Sequence, residues 1–156
     1  MHQHAMLTLK QTINSDTTFI TLTKELKMSI PAHLRSASAT MKETDDCCVI
    51  AVAIATGLPY REVHKAFAKV GRKNRTGVTT FYVEVAIKML GFRSVKLETW
   101  KGKTCKTFKQ PFPQRGIVFT AGHAAGFVGG IVRDWTSERR HRIQEVWLVE
   151  KNSGII

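Results

Sequence analysis

Cys47 is the residue of this sequence whose position most favours nucleophilic chemistry. It begins an apolar run that extends to Ala55. A thiol in the first turn of a helix meets the positive end of the helix dipole and unpaired N–H groups, and both favour the thiolate. The thiolate is the form of cysteine that attacks carbonyl carbons, so Cys47 is a candidate nucleophile.

The local charge opposes this activation. Asp45 and Asp46 precede the thiol, and negative charge raises a thiol pKa. An imidazole would therefore have to form an ion pair with the thiolate. The structural alternative is that Cys47 and Cys48 are small buried side chains of a core helix. Cys48 is the weaker candidate nucleophile, because one residue along a helix rotates a side chain by about 100°.

His123 is the histidine best placed to supply the imidazole. It opens one predicted strand, and the next predicted strand carries Asp134 near its end. A carboxylate that accepts a hydrogen bond from one ring nitrogen fixes the tautomer and stabilises the imidazolium. The alternative is a strand histidine and a turn aspartate without a shared function.

The N-terminal part is predicted to be a β-hairpin followed by a loop. Residues 6–13 and 17–23 alternate apolar with polar residues on either side of a turn-forming Asn-Ser-Asp tripeptide. Residues 29–44 carry a proline, small residues and hydroxyls without a clear period, which predicts a loop. We therefore divide the chain into an extension and loop, residues 1–43, and one domain, residues 44–156.

Three helices are predicted next. Residues 47–55 form the first, apolar on all sides, with Asp45 as N-cap and Gly57 after its end; a buried strand is the alternative. The second runs from Tyr60 to Gly71 and is amphipathic, with His64 on its outward or boundary side. The third is stopped by Gly91.

Short β-rich segments follow Gly91 and are separated by glycine pairs or polar turns. They cover residues 92–97, 116–120, 123–128, 131–135 and 144–149. Because helices come first and strands second, the sequence predicts an α+β fold with an antiparallel sheet.

The chain is strongly basic. With 24 Lys and Arg against 12 Asp and Glu, its formal net charge is +12, which attracts polyanions and acidic proteins. Basic clusters are more often solvated surface, but three of them are candidate contacts for nucleic acid or an acidic protein, with Tyr82, Trp100 or Trp135 available to stack on bases. These clusters are Arg72, Lys73 and Arg75; Lys101, Lys103 and Lys106; and Arg139, Arg140 and Arg142.

Several classes of protein are not expected. An odd number of cysteines, two of them adjacent, argues against a disulfide framework and offers no recognisable zinc set. Since no glycine-rich phosphate loop is present either, we expect no metal and no cofactor. The sequence has neither an apolar run long enough to span a bilayer nor a signal-peptide pattern at its start, which predicts a cytoplasmic protein without a membrane partner.

Two groups of motifs resemble small papain-like cysteine peptidases found in bacteriophage genomes. The first group, residues 46–64 followed by Gly71-Arg72-Lys73 and Thr76-Gly77, is similar to their nucleophile helix and the helix after it. The second group follows in the same order and consists of Gly122-His123-Ala124, Gly129-Gly130, Asp134-Trp135, Arg139-Arg140 and Val146-Trp147. The resemblance covers about residues 44–150.

This resemblance implies a papain-like fold, in which a central nucleophile helix packs on a C-terminal antiparallel sheet. Cys47 then matches the nucleophile, His123 the general base and acid, and Asp134 the orienting residue. The implied activity is a thiol hydrolase that cleaves a peptide or isopeptide amide, in the host cytoplasm or in a virion. Transglutaminases and deamidases use the same triad, and an inactive scaffold that acts as a basic binding module is a further alternative.

The motif departs from the family at the oxyanion site. Papain-like enzymes place a Gln about six residues ahead of the cysteine, where this chain has Met41. The backbone N–H of Cys47 is one candidate donor, and the hydroxyls of Thr44 and Thr40 are candidates for the second. Loss of one oxyanion donor typically costs about 3–4 kcal/mol of transition-state stabilisation.

Overall fold

The computed structural model of the protein describes residues 29–111, 113–134 and 141–153. In these ranges four α-helices precede a five-stranded antiparallel sheet, which confirms the predicted α+β class. The predicted hairpin of residues 6–13 and 17–23 lies outside the described residues. No helix of the described part is both long and apolar enough to cross a membrane.

The first helix lies where the sequence predicted a loop, so that prediction is wrong. This helix, α1, covers Ala32–Thr40 and buries Leu34 and Ser38. Ala37 and Met41 also pack against the core, at helical spacing from Leu34. The apolar period was hidden because small and hydroxyl residues occupy most of the other positions of this segment.

The other three helices agree with the predicted order: α2 covers Cys47–Thr56, α3 covers Tyr60–Lys69 and α4 covers Thr80–Met89. Helix α2 is buried from Cys48 to Thr56 and lies at the centre of the molecule, as its apolar sequence predicts. Its N-cap is Asp46 and not Asp45, because the helix begins at Cys47 and the carbonyl oxygen of Asp46 accepts its first backbone hydrogen bond, from Ile50 at 3.0 Å. Gly57, at a φ of 74°, ends the helix in the left-handed conformation.

The five strands form one sheet with the spatial order β1-β5-β2-β3-β4. Their bounds are Phe92–Leu97 for β1, Arg115–Thr120 for β2, His123–Val128 for β3, Ile131–Arg133 for β4 and Glu145–Lys151 for β5. The fourth strand ends at Arg133, and Asp134 forms an isolated bridge with Ser29 directly after it. The last strand inserts between β1 and β2, so the middle of the sheet is completed by the end of the chain.

The two faces of the sheet carry separate cores, because side chains alternate along each strand. Ile117 and Phe119 of β2 pack with the helices, whereas Val118 packs on the opposite face with Phe127 and Phe108. The segment after β1, which carries the predicted basic cluster Lys101, Lys103 and Lys106, covers this second face. It contains a short 3₁₀-helix, Cys105–Thr107. Two backbone hydrogen bonds, 2.8 Å and 2.7 Å long, join residues 102 and 103 of this loop to residue 143.

Gly126 sets how closely α2 approaches the sheet. A Cβ atom at this position would lie 2.6 Å from the Cβ of Ile54 and 2.9 Å from the carbonyl oxygen of Ala51. Only glycine therefore allows this helix to rest directly on β3. Since His123 begins the same strand, this packing also controls how close the start of the helix lies to the imidazole.

Candidate active site

The N-terminal residue of α2 and the first residue of β3 meet at one pocket. Cys47 and His123 both line this pocket, which has a volume of about 260 Å³. The thiol of Cys47 is within hydrogen-bond reach of the His123 imidazole. A helix start and a strand start, 76 residues apart in the chain, thus bring a sulfur and a ring nitrogen together.

Asp134 holds the other side of the His123 ring. The Nε2 atom of His123 lies 2.9 Å from each carboxylate oxygen of Asp134. The antiparallel pairing of β3 with β4 returns the chain to the start of β3 and places this carboxylate there. Because Nε2 faces the carboxylate, Nδ1 is the ring nitrogen left for the thiol.

The pKa of Cys47 is lowered from its ordinary value of 9.0 to about 4. The largest cause is a hydrogen bond from the Cys48 thiol, and the hydrogen bond and positive charge of His123 and the N–H of Ala124 act in the same direction against burial. The pKa of Cys48 is raised, because this thiol donates to its neighbour and is buried.

The pKa of His123 is raised from 6.5 to about 9. The hydrogen bond to Asp134 is the largest cause, and the hydrogen bond to Cys47 is the next; burial opposes both. Between about pH 4 and about pH 9 these pKa values favour a thiolate and imidazolium pair. Such a pair combines a nucleophile with a proton donor in one pocket.

Asp46, expected to oppose the thiolate, is engaged elsewhere. Its Oδ2 atom accepts hydrogen bonds from the hydroxyls of Ser38, at 2.6 Å, and Tyr60, at 2.7 Å. The residue is buried, and its side chain does not cap α2. Its negative charge is thus stabilised by two hydroxyl donors from α1 and α3, and the same contacts fix the residue immediately before the thiol.

The predicted side-chain oxyanion donors do not lie at this pocket. Thr40 is on α1 and donates its hydroxyl to the carbonyl oxygen of Ser36, at 2.8 Å. Thr44 is exposed, and neither threonine lines the pocket. The backbone N–H of Cys47 remains a candidate, because the first N–H groups of a helix have no partner inside it.

Gln144 is a pocket residue that the sequence analysis missed. Among the described residues that line the pocket, it carries the only side-chain amide, and it directly precedes β5. The pairs Phe119 with Glu145 and Thr120 with His123 bring this glutamine to the same end of the sheet as the imidazole. Only the β2–β5 pairing shows this proximity, and no local sequence signal reports it.

A second histidine and carboxylate pair lies in the protein interior, close to Cys48. Glu43 forms an ion pair with Arg72, lies 3.4 Å from the Nε2 atom of His64, and accepts a hydrogen bond from the backbone N–H of Arg75. His64 is buried, so its predicted outward or boundary position is wrong. Arg72 is buried as well and therefore does not belong to an exposed basic surface.

The other predicted basic residues lie on the surface where the structure describes them. Lys73 and Arg75 are exposed beside α3. A second group, which we call the basic loop cluster, is brought together by a hydrogen bond of 2.8 Å from Arg142 to the carbonyl oxygen of Gly102. Its exposed members are Lys101, Lys103, Lys106 and Arg142. Arg139, Arg140 and Trp135 lie outside the described residues.

Among the residues that the structure describes, no group of three or more His, Cys, Asp or Glu side chains is arranged to hold a metal ion. The comparisons with known proteins add no assignment. No family model matches the chain, and neither a curated protein nor a solved structure matches it.

Proposed function

We propose that this chain is a thiol hydrolase of the papain-like type that cleaves a peptide or isopeptide amide. The observation that carries the proposal is the contact series from the Cys47 sulfur through the His123 ring to the Asp134 carboxylate. A nucleophile, a base and an orienting carboxylate in this order are the recurring arrangement for acyl transfer.

In the proposed reaction, the Cys47 thiolate attacks the amide carbonyl carbon and forms a tetrahedral intermediate. The His123 imidazolium gives its proton to the leaving nitrogen, the C–N bond breaks, and a thioester remains. The neutral imidazole then takes a proton from water, whose oxygen attacks the thioester and releases the acid and the thiolate. Throughout, Asp134 keeps its hydrogen bond to Nε2 and holds the ring in place.

For the oxyanion we infer a pair of donors, the Cys47 backbone N–H and the Gln144 side-chain amide. The first follows from the helix start, and the second from the position of Gln144 on the pocket wall. Replacing Gln144 with Ala is expected to lower the acylation rate about 100-fold, the lower end of the range for one oxyanion donor. An unchanged rate in this variant would assign the second donor to another group.

We also propose a papain-like assignment for the fold. It is supported by an apolar helix that begins at a cysteine and packs on an antiparallel sheet, and by the order of nucleophile, histidine and aspartate along the chain. The phage origin, with action in the host cytoplasm or a virion, depends on the resemblance alone. Transglutaminase and deamidase activities would use the same three residues. A transglutaminase transfers the acyl group to an amine, and a deamidase hydrolyses a side-chain carboxamide.

Thiol profiling tests the proposal most directly. At pH 7, an alkyne-bearing haloacetamide is expected to label Cys47 far faster than Cys48 or Cys105, as measured by mass spectrometry of peptides. His123→Ala should abolish this preference, whereas Cys105→Ala, the matched control, should leave it unchanged. Equal labelling of all three cysteines in the folded wild-type protein would contradict the proposal.

A basic binding module is the second candidate function, and the basic loop cluster favours it. These cations lie together, and the Lys103 ammonium is 5.1 Å from the centre of the Trp100 ring. If this surface binds nucleic acid, affinity should fall steeply with salt and should not change in Cys47→Ala. Fluorescence anisotropy with a labelled oligonucleotide at several salt concentrations measures both effects.

A further inference from the structure

A second pocket adjoins the candidate catalytic pocket, and we call it the side pocket. Gly77, Val78 and Thr79, the residues that lead into α4, line both cavities. The side pocket has a volume of about 500 Å³ and is bounded on its far side by Lys73 and Tyr82. A substrate bound across the Cys47 sulfur therefore has an adjacent cavity for one of its side chains.

The wall of the side pocket is fixed before any ligand binds. Arg72 donates from Nε to the carbonyl oxygen of Thr76, at 2.9 Å, and pairs with the buried Glu43. The Thr76 hydroxyl donates to the carbonyl oxygen of Lys73, at 2.6 Å. The backbone that carries Lys73 is thus held at both ends of a short turn, which lowers the ordering cost of binding.

Gly71 and Tyr82 both line the side pocket. Gly71 takes a φ of 108°, and a Cβ atom there would lie 3.9 Å from the Cε1 atom of the Tyr82 ring. A larger residue would therefore extend into contact with the ring and would also be strained. The cavity consequently has an aromatic wall next to a cation.

The charge of the side pocket is positive. No carboxylate side chain is among its described lining residues, and the charge of Arg72 is compensated by Glu43. Lys73 is exposed and forms no ion pair with any described residue, so its ammonium is available to a ligand. A carboxylate is the group that best complements a cation at the edge of a partly enclosed cavity.

We propose that the side pocket is a substrate subsite that accepts an acidic side chain, and that Lys73 is the residue that recognises it. The substrate class is then a polypeptide with a Glu or Asp within a few residues of the cleaved amide. This inference rests on the proposed function, because the subsite is defined by its position next to Cys47. The strong positive charge of the whole chain acts in the same direction by attracting acidic polypeptides.

Two sets of electrophilic tetrapeptides test the subsite. One set carries a vinyl sulfone at its carboxyl end and places its residues on the acyl side. The other is chloroacetylated at its amino end and places them on the leaving-group side. Each set has Glu, Gln or Lys at one of the three positions nearest the electrophile, and the rate of Cys47 labelling is measured by mass spectrometry.

We expect the Glu peptide to label Cys47 about tenfold faster than its Gln counterpart at one position of one set, as for one charge-assisted hydrogen bond. Lys73→Gln should reduce this ratio to within about twofold, and Lys73→Glu should invert it in favour of the Lys peptide. Lys65→Gln is the matched control, because Lys65 is exposed on α3 and does not line the side pocket. This control should keep the tenfold ratio.

Equal rates for Glu and Gln at every position, or a Glu preference that survives in Lys73→Gln, would overturn the subsite. A small haloacetamide, which does not reach the side pocket, separates this failure from failure of the proposed function. Selective haloacetamide labelling of Cys47 without a Glu preference removes the subsite alone. Loss of selective labelling by both reagents removes the proposed function and, with it, the subsite.

Discussion

Among the described residues, two histidine and carboxylate pairs lie near the start of α2, and they differ in their third partner. The Nε2 atom of His123 is 2.9 Å from Asp134, and a thiol contacts the same ring. The Nε2 atom of His64 is 3.4 Å from Glu43, whose oxygens also bind a guanidinium. A thiol is thus the third group of the first pair, and a buried guanidinium is the third group of the second pair.

Access to solvent separates the pairs as well. The side chain of His123 is 20% exposed and lines a pocket, while Glu43 is fully buried at 0% and His64 is at 10%. A reactant can reach only the first imidazole. We therefore expect the first pair to serve chemistry and the second pair to serve fold stability.

Replacing each histidine with glutamine tests most directly whether the two pairs differ in function. His123→Gln removes the proton carrier, so amide turnover should fall about 100- to 10,000-fold. His64→Gln should leave turnover within about threefold. A quenched peptide substrate measures turnover, and urea unfolding verifies that both variants are folded. Equal loss of turnover in both variants would mean that the second pair is also needed for chemistry.

Removing the buried negative charge of Glu43 should have the second-largest effect, which is a loss of folding stability. Glu43→Gln leaves the buried guanidinium of Arg72 without its counter-charge, which typically costs about 3–5 kcal/mol of unfolding free energy. Glu84→Gln is the matched control, because Glu84 pairs with Lys88 on an exposed helix face at 3.3 Å. Such an exposed pair contributes only about 0.3–0.5 kcal/mol. Equal urea midpoints for the two variants would contradict the structural role of the interior pair.

The pH dependence of Cys47 labelling sharpens the comparison further. Because the pKa of Cys47 is about 4 and that of His123 about 9, the thiolate is present throughout the range between them. The alkylation rate should change less than about twofold between pH 6 and pH 8, whereas an ordinary thiol, with a pKa near 8.5, reacts about 75-fold faster over that interval. His123→Gln removes the hydrogen bond and the positive charge of the imidazole, so the rate should rise with pH more steeply than in wild type, while His64→Gln should leave the pH dependence unchanged.

The same two groups also make the folding stability depend on pH, and their contributions are lost in opposite directions of pH. Folding lowers the pKa of Cys47 from 9.0, so its contribution is present above pH 9 and is lost as pH falls through about 4. Folding raises the pKa of His123 from 6.5, so its contribution is present below pH 6.5 and is lost as pH rises through about 9.

Added together, the two contributions make the stabilisation by this pair constant over part of the pH range. Between pH 6.5 and about 9 the folded pair and the unfolded pair each hold one proton, and below pH 6.5 the unfolded pair holds one more. The stability advantage of wild type over the double variant with both Cys47→Ala and His123→Ala should therefore increase from about pH 4 to pH 6.5 and then remain level. Urea unfolding at a series of pH values measures it, and a continued rise up to pH 9 would contradict the ion pair.

The sequence was informative where the signal is local and periodic. The buried helix at residues 47–56 and the order of helices before strands follow from apolar spacing and glycine stops, and the structure confirms them. The sequence also selected Cys47, His123 and Asp134, which the structure brings together, while their catalytic roles stay predictions.

What the sequence missed depends on contacts between distant segments. Arg72 and Glu43 are 29 residues apart, and a basic residue in a polar run gives no sign that an acid lies buried beneath it. Gln144 reaches the pocket only because the last strand inserts next to β2. A local pattern reports which face of an element is apolar, but it does not report which elements become neighbours.

The smallest expected effect concerns Asp46, the residue immediately before the candidate nucleophile. Tyr60 donates to the buried Asp46 at 2.7 Å, and Ser38 donates to the same oxygen at 2.6 Å. Tyr60→Phe removes one of two donors, so the unfolding free energy should fall by about 1.5 kcal/mol while Cys47 labelling stays within about twofold of wild type. Tyr82→Phe, on an exposed tyrosine, is the matched control and should change stability by less than about 0.5 kcal/mol. In this variant the Ser38 hydroxyl still donates to Asp46 and holds the helix start in place. A large loss of labelling in Tyr60→Phe would therefore mean that the Asp46 contacts also affect the reactivity of the Cys47 thiolate.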